Sequence, residues 1–107
     1  MQAVLTKINP KSVKTDLNLE VLLKSLEGAD NNTKNDIENN IVKMGAKAVD
    51  FLVQSLCSLK GVARGTVAMS LIRIGEPAVA PLKKQATQTE GFGWIADYLI
   101  SEIQGNY

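Results

Sequence analysis

Apolar residues recur along most of this chain at spacings of three and four, the mark of helices that each bury one stripe. From Thr15 or Asp16, either able to cap, Leu19, Leu22, Leu23 and Leu26 follow that spacing until Gly28 stops the segment. Residues 29–32 read as a turn of small and polar side chains in which Asn31 or Asn32 can accept from free helix N–H groups. A second helix then runs to about Met44 on Ile37, Ile41 and Met44, and Gly45 marks its end. The third restarts near Ala46 with Val49, Leu52, Val53 and Leu56 on one stripe, closed by Gly61. Val67, Leu71 and Ile74 carry the fourth, which ends at Gly75, and Val79, Leu82 and Ala86 carry the fifth. Pro77 suits a first helical turn, whereas Pro81 removes a backbone N–H deeper in and predicts a bend or a short irregular start. After a loop over residues 87–93, the last helix, from Trp94 to about Gln104, aligns Ile95, Ala96, Leu99, Ile100 and Ile103.

The segments are copies of one another. Setting Gly45 on Gly75, thirty positions on, also sets Ile37 on Val67, Ile41 on Leu71, Met44 on Ile74, Ala48 on Ala78, Val49 on Val79 and Leu52 on Leu82. Repeats at a fixed spacing of roughly 20–50 residues mean stacked supersecondary units that bury their apolar faces on their neighbours. The sixth helix aligns with the fourth only if one residue is deleted. The expected fold is all-α: six antiparallel helices in about three pairs, forming a right-handed α-solenoid over residues 16–107. Residues 1–15 read as an arm, since Val4, Leu5 and Ile8 give too little periodicity for a helix.

At residues 64–75 the run RGTVAMSLIRIG, followed by EPAVAPL, resembles the short HEAT-like repeat of the phycobilisome-lyase class. Arg64, Ala68, Leu71, Ile74, Gly75, Glu76 and Pro77 fit that repeat. The first full copy departs from it, with Lys34 for the arginine, Asn39 and Asn40 at usually small positions, and Ala46 and Lys47 for the acid and proline. The match is good over residues 33–88 and looser over 17–104. The resemblance implies a stacked helical fold with a concave protein-binding face. Proteins of this kind include bilin lyases, nucleic-acid glycosylases and plain scaffolds, so no one chemistry follows from it.

Composition narrows the chemistry further. The 107 residues hold a formal net charge of +1, which offers no overall attraction for phosphate backbones or anionic lipid. With no His, a Ser-His-Asp or Cys-His arrangement is excluded and the common zinc sites are not available. Asp36 and Glu38, at i and i+2, point to different helix faces and read as solvated charges. Lone Cys57 in an apolar run reads as a small core or half-buried residue, in keeping with a reducing cytoplasm. Phe92, Trp94 and Tyr98 read as a cap on the core. No catalytic set, metal site or cofactor site is expected, and no apolar run is long enough to cross a bilayer.

Polar positions that recur with the repeat carry the functional expectation, because stacking aligns them into ladders. Lys24, Gln54 and Lys84 form one, Glu20 and Asp50 another, and Lys83 lies beside the first. The expected function is a non-enzymatic interaction module binding a protein or peptide on the face that carries Lys24, Asp50, Gln54, Lys83 and Lys84. Two alternatives stand beside it. One is nucleic-acid binding through Lys7, Lys11, Lys14, Lys24, Lys83 and Lys84; the other, implied by the resemblance alone, is an accessory subunit of a tetrapyrrole-handling or other enzyme complex. At the N-terminal edge, Leu19, Leu22, Leu23 and Leu26 lack an outer partner, so the expectation is a monomer shielded by the arm or a weak homodimer.

Overall fold

A computed structural model of the chain describes residues 10–105, with side chains from Leu17 onward. Among the described residues there are six α-helices: α1 Pro10–Lys24, α2 Asn31–Met44, α3 Ala46–Leu56, α4 Gly61–Ile74, α5 Val79–Gln88 and α6 Gly93–Gln104. A 3-10 turn, Glu76–Ala78, precedes α5, and there is no strand among the described residues. Helix α1 starts at Pro10 rather than at Thr15 or Asp16. Proline fits a first helical position because its φ is already helical and its absent N–H would have had no partner there. Residues 10–15, read from the sequence as arm, are therefore helical, and the remaining arm residues, 1–9, lie outside the described ones.

The cap of α2 is also one residue earlier than expected. Asp30, not Asn31 or Asn32, is the N-cap, and its carboxylate accepts from the Thr33 N–H at 2.8 Å. A carboxylate suits this position better than an amide, since it complements the positive end of the helix dipole. The bond from Thr33 holds the Asp30 carboxyl below its ordinary value of 3.8, with Lys34 adding to the effect. A depressed folded value contributes stability above the unfolded one and loses it as pH falls. Asp30→Ala is accordingly expected to melt below wild type at neutral pH, and the two curves should converge as pH drops below 3.8. A gap that stays constant to acid would mean that the carboxylate does not cap α2.

The same corner is built twice. Gly45 has φ 61° and ψ −140°, and Gly75 has φ 89° and ψ −138°. After each, the third residue donates back to the glycine carbonyl, Ala48 at 3.0 Å and Ala78 at 2.9 Å. The corners differ on either side of that bond: the Gly45 N–H donates to the Val42 carbonyl and the Gly75 N–H to the Leu71 carbonyl, both at 3.0 Å. Helix α3 is α-helical from Ala46, whereas Glu76, Pro77 and Ala78 stay in a 3-10 turn before α5 begins. This is the irregular start expected from Pro81, which has no N–H to donate to the Pro77 carbonyl.

Helices two apart in the chain pack side by side: α1 on α3 and α3 on α5, and likewise α2 on α4 and α4 on α6. Consecutive helices join these two rows, most extensively α3 with α4 and α5 with α6. The core lies between the rows. Burial follows the thirty-residue register, with Ile37 and Val67, Ile41 and Leu71, Ala48 and Ala78, Val49 and Val79, and Leu52 and Leu82 all buried. Ala96 and Leu99 are buried in α6, at the places that Val67 and Ser70 hold in α4 once one residue is deleted. Ser70 is fully buried, and its hydroxyl donates to the Thr66 carbonyl at 2.7 Å, so the polar group is satisfied inside its own helix.

Stacking also explains an ion pair that local reading assigned to solvent. Arg73 on α4 reaches across to α2, its Nη1 donating to Glu38 Oε2 at 2.8 Å and Asn39 Oδ1 at 2.9 Å. Both charges keep contact with water, so Arg73→Ala is expected to cost at most about 1 kcal/mol in a denaturant titration. A loss several times larger would show that this tie holds the α2–α4 contact.

Candidate functional site

Helices α1, α3 and α5 carry the residues singled out by the sequence. Asp50 and Gln54, one turn apart on α3, and Lys84 on α5 line a single shallow cleft of about 180 Å³, floored by Val53 and Pro81. All three polar side chains are exposed, and the cleft offers a carboxylate, an amide and an ammonium group within one opening. Lys24 stands at the end of α1, where it pairs with Glu20 at 3.6 Å, and it does not line this cleft. Lys83 is exposed on α5 but also stands outside the cleft, whose α5 side is made by Pro81, Lys84, Gln85 and Gln88. The side chains of Lys7, Lys11 and Lys14 lie outside the described ones.

At the loop end of the molecule two clefts repeat one another. Leu26, Lys34 and Leu59 line an opening of about 700 Å³, and thirty residues on Leu56, Arg64 and Thr89 line one of about 190 Å³. Lys34 and Arg64 hold equivalent places in the two.

The aromatic cluster divides in a way that the sequence did not show. Phe92 is buried, as expected of a core cap, whereas Trp94 and Tyr98 are 69% and 58% exposed. The buried stripe of α6 is Ala96 and Leu99, and residues 94 and 98 fall one turn apart on a different face. With Arg64, Gly65 and Ala68 of α4 they line an apolar groove of about 320 Å³. The signal available in the sequence was phase: these two aromatics are out of step with the smaller residues that must face the core.

One further expectation changes: Cys57 is exposed, because the buried stripe of α3 ends at Leu56 and Cys57 is the residue after the helix. At the N-terminal edge, Leu19, Leu23 and Leu26 are buried in the core and Leu22 is partly buried against it. Among the described side chains of α1, Leu17 and Val21 are exposed and apolar, and Val21 lines a groove with Leu22 and Met44. Among the described residues no three Cys, Asp or Glu side chains gather as a metal site would require, and no helix is long and apolar enough to cross a membrane.

No family model matches the chain, and neither a curated protein nor a solved structure does.

Proposed function

We propose that this chain is a small non-enzymatic protein-interaction module, a right-handed α-solenoid of about three HEAT-like helix pairs that binds a protein or peptide along its α1–α3–α5 row. Support for the solenoid comes from the twice-built glycine corner, the burial that follows the thirty-residue register, and the packing of each helix on the one two places along. The observation that carries the function is the cleft where Asp50, Gln54 and Lys84 converge from two helices. An extended peptide displays alternating N–H and C=O groups with side chains of either charge, and a carboxylate, an amide and an ammonium group together can answer all of these. A nucleic-acid face would call for a stripe of Lys and Arg, but here Asp50 shares the cleft and Glu20 pairs Lys24.

The test compares charge reversal at two exposed lysines in affinity capture from the native host. Lys84→Glu is expected to lose the partner while keeping the fold, and Lys43→Glu, on α2 in the other row, is expected to retain it. The opposite result would place the partner on the α2–α4–α6 row and overturn this reading.

A further inference from the structure

The groove between α4 and α6 belongs to the other row of helices and takes no part in the surface proposed above. Its two walls are unlike. From α6 come Trp94 and Tyr98, both large, apolar over most of their surface and more than half exposed. From α4 come Gly61, Gly65 and Ala68, two residues without a side chain and one with a single methyl group, which leave the helix backbone open to close approach. Isolated apolar residues on a surface are ordinary, but two aromatics flanking a concave apolar strip mark a binding surface. Arg64 adds the feature that identifies an occupant. It is only partly exposed, it lines this groove and the cleft beside it, and among the described residues it makes no hydrogen bond or ion pair. Arg73, about two and a half turns further along α4, has Glu38 and Asn39 as acceptors, whereas Arg64 has none among the described residues.

We infer that the α4–α6 groove docks an acidic peptide segment of a partner protein: a large apolar side chain lies between Trp94 and Tyr98 over Gly65 and Ala68, and a neighbouring Asp or Glu carboxylate takes the Arg64 guanidinium. The groove sets the apolar anchor, since its lining is almost wholly carbon. The unpaired guanidinium sets the charge, since a planar fork of donors matches a carboxylate and a basic segment would be repelled. Burying both aromatics in this way is the arrangement in which a few residues carry most of the binding energy.

Trp94 is the one tryptophan in the chain, so its emission reports on this groove alone. A random short-peptide library displayed on phage, panned against the full chain, is expected to enrich sequences pairing a large apolar residue with Asp or Glu. The synthetic peptides should shift Trp94 emission to the blue on binding. Gly65→Leu is the decisive variant: the glycine is helical, a Cβ there meets nothing within 4 Å, and the added side chain fills the groove. It should keep the helical circular dichroism of wild type and weaken the peptides by about tenfold or more, as should Trp94→Ala followed by anisotropy of a labelled peptide. Arg64→Glu should reverse the charge preference, selecting Lys and Arg in place of Asp and Glu. The inference is overturned if the library enriches nothing over the Gly65→Leu control, or if the selected peptides lack acidic residues. Binding that leaves Trp94 emission unchanged, or that survives Arg64→Glu undiminished, overturns it as well. So does a blue shift that grows with protein concentration alone, which would make a second copy the occupant.

Discussion

Replacing Leu52 by alanine is expected to lower the free energy of unfolding by about 2–5 kcal/mol, the range for truncating a fully buried leucine where the surroundings cannot close the void. Leu52 is 0% exposed in the middle of α3. That helix touches α1, α2, α4, α5 and the 3-10 turn, so it is the element through which most others are joined. A cavity there cannot be filled by sliding one helix without disturbing its other contacts. Domains of this size are stable by only about 5–15 kcal/mol, so this single change removes a large fraction of the total. Leu82, thirty residues on, is equally buried, but α5 packs on fewer helices and has more freedom to collapse inward. Leu82→Ala should therefore lie toward the lower end of the same range. Urea titration of both variants checks the order. A loss below about 1 kcal/mol at Leu52 would contradict the central position of α3.

Much of the fold could be read because its two signals are local. A stripe at three and four names a helix, and a glycine directly between two stripes names a corner, so α2 through α6 fall where Ile37 to Ile103 placed them. The start of α1 is not legible because residues 10–15 read PKSVKT, and a segment without recurring apolar residues leaves no periodic trace. The cap of α2 was misplaced because Asp30, Asn31 and Asn32 are all competent caps in a row, and only the backbone decides among them. Positions 54 and 84, thirty apart in the sequence, do line one cleft, on helices that pack side by side. The aromatic groove was not legible. Whether Trp94 faces in or out depends on how α6 rotates against α4, and that is settled by the small buried residues Ala96 and Leu99 rather than by the aromatics themselves. The Arg73–Glu38 pair is of the same kind, joining residues that meet only after two helices have stacked.

At the corner itself, Gly75→Ala is expected to cost about 1–3 kcal/mol, and Gly75→Val more, because both must hold a backbone conformation that residues with a Cβ scarcely visit. The cost is purely one of torsion. A Cβ added at Gly75 or at Gly45 meets no atom within 4 Å, so crowding contributes nothing. Gly45→Ala should therefore lose a similar amount, since its φ and ψ lie close to those of Gly75. Three controls separate torsion from other causes. Gly65→Ala, inside α4 with equally open space around it, should gain about 0.5–1 kcal/mol, the ordinary difference between these residues in a helix. Asparagine is sensitive to ψ: it tolerates the left-handed helical region, where Gly105 sits at φ 71° and ψ 23°, but not the region near ψ −138°. Gly105→Asn should thus be nearly silent and Gly75→Asn almost as damaging as alanine. Finally, D-alanine introduced at position 75 by chemical ligation favours positive φ and should recover the stability that L-alanine loses. Denaturation curves for L-alanine at 75 that overlay those of wild type would mean the chain turns there with some other backbone, and that the twice-built corner is not what sets the register of the two rows.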